Sequence, residues 1–277
     1  MLNFGKVGII GLGKMGEAII SGLLLSKSYS SQDISAYEII SEQSRYISSK
    51  YGIKILNTAT DVAKDADIII LVVKPKDMFK ALQEIIKTPL KNKIIISVAA
   101  GINTDYLLKY LPEGTKVIRA MPNLACSLGE GMICLSSGKG TSKKELDKAT
   151  ELFKLTGKVL QIDENDLAAV TGISGSGPAY VYAFIESLAD AGVQLGLKND
   201  VALTLATQTT LGASKIVIST GENPTELKKK VATPGGTTIE GIKELEKGGL
   251  KELVKEAVSV ATKKSLKIQD SINNLDQ

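Results

Sequence analysis

The chain has 277 residues, 43% of them hydrophobic and 23% charged, which is typical of a soluble protein with one large or two medium domains. Its net charge of +4 is spread along the sequence, and the densest cluster, Lys228–Lys230, has Glu226 beside it, so we expect no nucleic-acid partner. Two cysteines are too few for a disulfide framework, and the absence of histidine removes the usual neutral-pH acid, base and metal ligand, so we expect no metal.

Short β-branched runs alternate with helical patterns in the first part of the chain. The predicted strands are KVGII, DISAY, DIIILVV, KIIISVA and KVIRAM, and the predicted helices are Glu17–Leu25, Ser41–Tyr51, Asp77–Ile86 and Thr104–Leu111. This alternation predicts an α/β fold, a Rossmann-like doubly wound parallel sheet covered by helices on both faces. The far edge of this sheet is extended by the strands GMICL and KVLQI and by a helix over Ser142–Leu155 between them. The sequence does not show whether these strands pair parallel or antiparallel.

The first predicted strand runs into Gly11-Leu12-Gly13-Lys14-Met15-Gly16, which has the spacing G-x-G-x-x-G. Gly11 permits a tight turn, Gly13 lets the backbone approach a pyrophosphate, and Gly16 lets the following helix pack close to the strand. The pyrophosphate would then lie on the N–H groups of that helix. A purely structural glycine turn is the alternative, but the strand, the helix and the position at the chain start all favour dinucleotide binding.

Three further segments are candidates for the cofactor cleft. Glu38 stands where the second strand should end, and an acid there accepts hydrogen bonds from an adenosine ribose and repels a 2′-phosphate, which favours NADH over NADPH. Lys74-Pro75 and Val98–Gly101 follow two other strands, at the carboxyl ends where such sheets form their clefts. An exposed glutamate and ordinary strand-ending turns remain the alternatives.

From Glu164 onward helical patterns replace the strand-like runs, so we divide the chain into a dinucleotide-binding domain, 1–163, and a helical domain, 164–277. Asp200–Ser219 is apolar or small nearly all round, and we expect it to be buried between subunits. The longest aliphatic run, Ile68–Val73, is far shorter than the roughly 20 residues of a membrane-spanning helix. We therefore expect a cytoplasmic protein with no membrane partner.

Two glycine-rich segments interrupt the helical half. In Ser174–Pro178, Pro178 suits the first turn of a helix and Ser176 or Gly177 its cap, so a capped helix start is the favoured interpretation. Thr233–Thr238 has more hydrogen-bond donors than the capping of one helix needs, because consecutive backbone N–H groups and threonine hydroxyls precede the helix. That arrangement suits a small carboxylate.

These motifs resemble those of the pyrroline-5-carboxylate reductases over nearly the whole chain. LKKKVATPGGTTIEGIKELEKGG, Leu227–Gly249, is similar to that family's signature segment. Val170–Tyr180, the loop Gly11–Gly16, Val73–Pro75 and Arg119–Asn123 also resemble family motifs, in the right order.

The resemblance implies an amino-terminal Rossmann domain and an all-helical carboxyl-terminal dimerisation domain, with the site at the dimer interface and dimers that often assemble into a decamer. It implies an NAD(P)H-dependent imine reductase that transfers hydride to 1-pyrroline-5-carboxylate and gives L-proline, the last step of proline biosynthesis. The implied partners are this small-molecule substrate and further copies of the chain. Either NADPH or NADH fits as cofactor.

The resemblance also assigns site residues by position. The implied cofactor contacts are Ile10, Gly11, Leu12, Gly13, Lys14, Met15, Gly16, Tyr37, Glu38, Val72, Val73, Lys74, Pro75, Val98, Ala99, Ala100 and Asn123. The implied substrate contacts are Glu164, Val231, Thr233, Gly236, Thr237 and Thr238. Glu164 is a weaker candidate than the other five. Thr238 is the candidate catalytic residue, with its hydroxyl on the ring nitrogen.

Three positions depart from the family pattern. Ala59 stands where the family often has Asn. Tyr37-Glu38 stands where the family often has Asp-Arg or Asn-Arg, which leaves the choice between NADH and NADPH open. Thr233 stands where many members have Ser, and it preserves the hydroxyl.

Two other functions compete with an imine reductase. A hydroxyacid dehydrogenase of the 6-phosphogluconate type resembles this domain order, but its catalytic helix has G-x-x-x-K, whereas Gly212-Ala213-Ser214-Lys215 has the wrong spacing. A nucleotide-sensing or scaffold protein without chemistry is the other alternative, and the intact Thr233–Thr238 segment argues against it.

Overall fold

The computed structural model describes residues 4–274, and strands alternate with helices in the first part of this range. The elements are β1 Val7–Ile10, α1 Lys14–Leu25, β2 Ile34–Tyr37, α2 Ser41–Tyr51, β3 Lys54–Ile55, α3 Ala59–Asp65, β4 Ile68–Leu71, α4 Met78–Ile85, β5 Ile94–Ser97, α5 Thr104–Tyr110, β6 Lys116–Met121, β7 Gly131–Ser137, α6 Lys143–Lys154 and β8 Gly157–Gln161. The predicted Rossmann-like architecture is confirmed.

The strands form one sheet in the order β3-β2-β1-β4-β5-β6-β7-β8. The strands from β1 to β6 are parallel, whereas β7 runs antiparallel to β6 and β8 runs parallel to β7. Ile10 pairs with both Tyr37 and Leu71, and Leu71 pairs with Ser97. The carboxyl ends of β2, β1, β4 and β5 therefore lie level, side by side, on one edge of the sheet.

Both faces of the central strands are covered, which explains why these strands are continuously apolar. Every residue of β1, β4 and β5 is buried. One face packs against α1 and α6 through residues such as Ile19 and Phe153, and the other against α3 and α4 through residues such as Val62 and Leu82. This double packing keeps the strand ends in a fixed arrangement.

The second part of the described range is helical. Its elements are α7 Leu167–Val170, α8 Gly177–Gln194, α9 Asn199–Thr220, α10 Pro224–Val231, α11 Thr237–Lys247 and α12 Leu250–Asn274. Contacts divide the described residues into two compact units: one comprises residues 4–176 and 259–274, and the other is Gly177–Val258. The domain boundary between residues 163 and 164 stays a prediction.

Helices α8 and α9 pack together through the small residues Ala189, Ala202 and Ala206. The rest of α9 is largely exposed, including Leu205 and Ile218. Within residues 4–274, α9 alone has the length and the mean hydropathy, 1.3, that would suit a membrane span. The single chain leaves most of this helix uncovered, so the burial of Asp200–Ser219 between subunits stays a prediction.

Candidate functional site

The glycine-rich loop joins the end of β1 to the beginning of α1. Gly11 has φ +102°, and a Cβ added there would lie 2.5 Å from the carbonyl oxygen of Val72. A Cβ on Gly16 would lie 2.3 Å from the carbonyl oxygen of Gly11. A Cβ on Gly13, the N-cap of α1, would meet nothing within 4 Å. Two of the glycines thus serve packing, and the third borders open space before a helix N-terminus that no side chain caps, as a pyrophosphate cradle requires.

Glu38 joins the end of β2 to this loop. Its Oε2 accepts a hydrogen bond of 2.7 Å from the backbone N–H of Leu12, and its Oε1 one of 3.0 Å from the N–H of Ile40. Gln43 donates from Nε2 to the carbonyl oxygen of Leu12 at 2.7 Å. The predicted ribose-binding carboxylate and the predicted pyrophosphate loop are therefore in direct contact.

The segments that follow β4 and β5 lie on the same edge of the sheet. Val72 donates its backbone N–H to the carbonyl oxygen of Ile10 at 2.8 Å, and Val98 donates to that of Leu71 at 3.1 Å. Lys74 precedes a short 3-10 helix at Pro75–Asp77. The structure thus brings together the four predicted cofactor segments, which carry Gly11, Glu38, Lys74 and Val98.

Asn123 follows β6, and both ends of its side-chain amide are engaged. Its Nδ2 donates to the carbonyl oxygen of Ser174 at 3.1 Å, and its Oδ1 accepts from the N–H of Met132 at 3.3 Å. Thr171–Gly175 forms a π-helical turn directly before α8, in which Ser176 donates its N–H to the carbonyl oxygen of Thr171 at 2.9 Å.

The predicted helix start at Ser174–Pro178 is confirmed, because α8 begins at Gly177 and Pro178 lies in its first turn. A capping role of Ser176 or Gly177 stays a prediction. The sequence did not predict the π-helical turn through which the chain passes from α7 into α8, where the Ser174 hydroxyl bonds back to the carbonyl oxygen of Val170 at 3.2 Å. That turn offers the carbonyl oxygen of Ser174 to Asn123.

Glu164 takes part in a partly buried polar network. Its Oε1 accepts from the backbone N–H of Thr104 at 2.8 Å, and its Oε2 from the Thr104 hydroxyl at 2.6 Å. Nη1 of Arg119 lies 3.4 Å from Oε1. Burial lowers the pKa of the Arg119 guanidinium, and the Glu164 charge opposes that shift. Thr104 and Arg119 were not among the predicted site residues, although an arginine inside the strand pattern KVIRAM is an available signal.

The substrate candidates of the second unit surround the N-terminus of α11. Val231 ends α10, and the turn that follows is closed by a hydrogen bond of 3.0 Å from the N–H of Gly236 to the carbonyl oxygen of Thr233. Gly236 is the N-cap of α11, and no side chain caps this helix. Thr237 and Thr238 therefore lie inside the first turn and do not act as caps. The bare N–H groups of such a helix start attract an anion.

The two cysteines, Cys126 and Cys134, are buried free thiols. Burial raises the pKa of each thiol, so neither is a reactive thiolate at neutral pH. Among the residues that the structure describes, no group of three or more His, Cys, Asp or Glu side chains could hold a metal ion.

Two family models match the chain. The model described as pyrroline-5-carboxylate reductase dimerisation matches residues 164–268, and the model described as NADP oxidoreductase, coenzyme F420-dependent, matches residues 6–101. Together they cover both the glycine-rich loop and the segment before α11.

Curated relatives match along almost their full length. Pyrroline-5-carboxylate reductase of Arabidopsis thaliana is 41% identical over 266 residues, which are 96% of each chain. The Escherichia coli enzyme of the same name is 37% identical over 96% of this chain and 99% of its own.

Solved structures agree with these relatives. A Plasmodium falciparum pyrroline carboxylate reductase with NADP bound has a TM-score of 0.87 and 32% identity, covering 95% of this chain and 98% of that one. The Coxiella burnetii pyrroline-5-carboxylate reductase also has a TM-score of 0.87, with 30% identity over 96% of this chain and 99% of that one.

Proposed function

This chain belongs to the pyrroline-5-carboxylate reductase family, and from that premise we propose how its own residues carry out the reaction. The enzyme is an NAD(P)H-dependent oxidoreductase that reduces the cyclic imine 1-pyrroline-5-carboxylate to L-proline, the last step of proline biosynthesis. The observation that carries the assignment of substrate residues is the uncapped start of α11 directly after Thr233–Gly236.

The cofactor binds along the carboxyl edge of the sheet. The pyrophosphate lies on the glycine-rich loop before α1, where the open side of Gly13 leaves room for it. The residues assigned to the cofactor are Ile10, Gly11, Leu12, Gly13, Lys14, Met15, Gly16, Tyr37, Glu38, Val72, Val73, Lys74, Pro75, Val98, Ala99, Ala100 and Asn123. When bound, the reduced nicotinamide supplies the hydride that adds to the imine carbon.

The substrate carboxylate binds the backbone N–H groups of Gly236, Thr237 and Thr238. An uncapped helix start supplies both the donors and the positive end of the helix dipole. The hydroxyl of Thr238 hydrogen-bonds the ring nitrogen. Val231 and Thr233 complete the assigned contacts.

The chain performs this reduction without a histidine, because the substrate itself provides the activation. A protonated imine already attracts hydride, so its carbon needs no strong acid from the protein. As hydride adds to the carbon, the C=N double bond becomes a single bond and the nitrogen keeps its proton. Holding the carboxylate at one place and the ring nitrogen at another then supplies most of the rate through positioning.

The cofactor preference follows from Glu38. Its carboxylate accepts from the N–H of Leu12, which supports a position beside the adenosine ribose that we assign to this loop. A 2′-hydroxyl can donate to this carboxylate, whereas a 2′-phosphate would repel it. We assign a preference for NADH.

The enzyme forms oligomers through its dimerisation domain. The exposed apolar residues of α9 are the surface that we assign to the contact between two copies. A decamer built from dimers, a cytoplasmic location without membrane or nucleic-acid partners, and the division into domains 1–163 and 164–277 complete the proposal.

A dehydrogenase of the 6-phosphogluconate type has no support in the described residues. Its mechanism would need the lysine of a G-x-x-x-K helix, and Gly212-Ala213-Ser214-Lys215 on α9 has the wrong spacing. We therefore place no catalytic role on Lys215.

The direct test is an assay of 1-pyrroline-5-carboxylate reduction run in parallel with NADH and NADPH, with L-proline measured alongside the loss of reduced cofactor. We expect one proline per oxidised cofactor and faster turnover with NADH at low concentration. If the enzyme oxidises neither cofactor, the proposed reaction is rejected. If it prefers NADPH, the role given to Glu38 is rejected.

A further inference from the structure

The loop that joins β5 to α5, residues 98–103, is fixed at its beginning and its middle. The N–H of Ala99 donates to the hydroxyl of Ser97 at 3.3 Å. Ala100 packs against the apolar cluster that contains Leu167. Gly101 has φ +77°, and a Cβ added there would lie 2.6 Å from Cγ2 of Ile268. The backbone of Val98–Ala100, which is proposed to border the nicotinamide ribose, is therefore held in place by these contacts.

The far end of this loop is fixed by Glu164. Asn103 caps α5 by accepting the N–H of Tyr106 at 2.8 Å, which leaves the first N–H of the helix, that of Thr104, for another acceptor. Glu164 accepts both this N–H and the Thr104 hydroxyl. One carboxylate far along the chain thus completes the capping of the helix that follows the cofactor loop.

Arg119 keeps the Glu164 carboxylate in place. The Arg119 side chain is only 1% exposed, and Glu164 is the carboxylate that lies against it. Its Nε and Nη2 are buried and have no hydrogen-bond partner within residues 4–274. Because an uncompensated buried cation is costly, moving Glu164 away from Arg119 towards another partner would be unfavourable.

We propose that Glu164 is a positioning residue for the cofactor loop. Held by Arg119 and bonded twice to Thr104, it fixes the start of α5 and so the place of Val98–Ala100. This inference rests on the proposed function, because it assumes that these loop residues border the bound cofactor.

The two roles of Glu164 predict opposite kinetic changes. A positioning role raises the dissociation constant and the KM for the nicotinamide cofactor and leaves the KM for the imine substrate nearly unchanged. A substrate contact raises the KM for the imine and leaves cofactor binding unchanged. The two effects can be measured separately, because cofactor binding needs no substrate.

The experiment uses the full-length enzyme with Glu164→Gln and Thr104→Val. Thr104→Val removes one hydrogen bond to Glu164 and preserves the shape of a buried side chain. We expect each variant to bind NADH roughly fivefold more weakly, the order expected for one lost hydrogen bond to a charged group in a partly exposed network. Thr104→Ser should restore binding, and Glu113→Gln, which alters an exposed carboxylate between α5 and β6, should bind as the wild type does.

Gly101→Ala moves the same loop from its other side without touching Glu164 or Arg119, so it should reproduce the weaker NADH binding with an unchanged substrate KM. A higher substrate KM with unchanged NADH binding in Glu164→Gln would overturn the proposal. So would a lower melting temperature with both constants unchanged, because that result describes a merely structural residue. A wild-type enzyme that binds no nicotinamide cofactor would instead reject the proposed function.

Discussion

The Glu38 carboxylate lies 2.7 Å from the backbone nitrogen of Leu12, so the acid at the end of β2 is bonded to the loop that is proposed to bind the pyrophosphate. This contact places a negative charge beside the expected position of the adenosine ribose. A phosphate group there would meet a carboxylate about 4 Å away, which costs on the order of 1–4 kcal/mol between the limits of bulk water and a protein surface.

We expect Glu38→Gln to reduce the preference for NADH over NADPH, measured as the ratio of the two kcat/KM values, by about tenfold, because every 1.4 kcal/mol is tenfold in a binding ratio. The matched control is Glu42→Gln, which removes an exposed carboxylate from the first turn of α2. An unchanged ratio in Glu38→Gln would show that another residue sets the preference.

Gly13 and Gly16 should respond differently to alanine. A Cβ at Gly16 would lie 2.3 Å from the backbone oxygen of Gly11, and such overpacking costs roughly 1–3 kcal/mol of folding free energy. A Cβ at Gly13 would meet nothing in the protein but would intrude on the space assigned to the pyrophosphate. We expect Gly16→Ala to lower the melting temperature, and Gly13→Ala to melt near the wild type while binding NADH at least about tenfold more weakly. Normal NADH binding by a stable Gly13→Ala would contradict the assigned cradle.

Sequence patterns predicted the elements that have a strong periodic signal and missed those fixed by distant contacts. Runs such as Ile68–Leu71 are apolar because both faces of the sheet are covered, so they are visible as strands in the sequence. Lys54–Ile55 forms a strand of two residues, too short to give a pattern. The antiparallel direction of Gly131–Ser137 depends on its pairing with Ile118–Met121, which no local pattern contains.

The residues of the candidate site also comprise some that the sequence predicts and others that only the fold brings together. The glycine-rich loop and the segment before α11 are contiguous motifs, and each could be identified from the sequence. The network of Glu164, Thr104 and Arg119 joins residues that are 45 and 60 positions apart, so only the fold reveals it. Pro178 marks the start of α8 in the sequence, but the π-helical turn at Thr171–Gly175 was missed because no local pattern marks it.

Thr238→Ala should weaken the reaction at the substrate and leave cofactor binding unchanged. Loss of a hydrogen bond to a charged imine nitrogen costs about 1.5–3 kcal/mol, so kcat/KM for the imine substrate should fall by at least about tenfold. Thr238→Ser keeps the hydroxyl and should recover most of the activity. Thr225→Ala, an exposed threonine at the start of α10, is the control. Wild-type kinetics in Thr238→Ala would remove this hydroxyl from the mechanism.

The apolar surface of α9 should hold the dimer together. Leu205 is 53% exposed in the single chain, and a charge placed there would be buried against the partner at a cost of several kcal/mol. We expect Leu205→Glu to shift the enzyme from an oligomer to a monomer in size-exclusion chromatography with light scattering. Leu128→Glu changes a 72% exposed leucine outside the helical unit and should leave the oligomer intact. A monomeric wild-type enzyme would contradict this assignment.

The central claim is that the bare N–H groups at the start of α11 hold the carboxylate of the substrate. The most direct measurement compares the catalytic efficiency of the wild-type enzyme with two imines, 1-pyrroline-5-carboxylate and 1-pyrroline, the same ring without the carboxylate. If Gly236, Thr237 and Thr238 bind that group, 1-pyrroline should be reduced about a hundredfold or more less efficiently, since two or more charge-assisted hydrogen bonds are lost. Equal efficiency for the two imines would contradict the account.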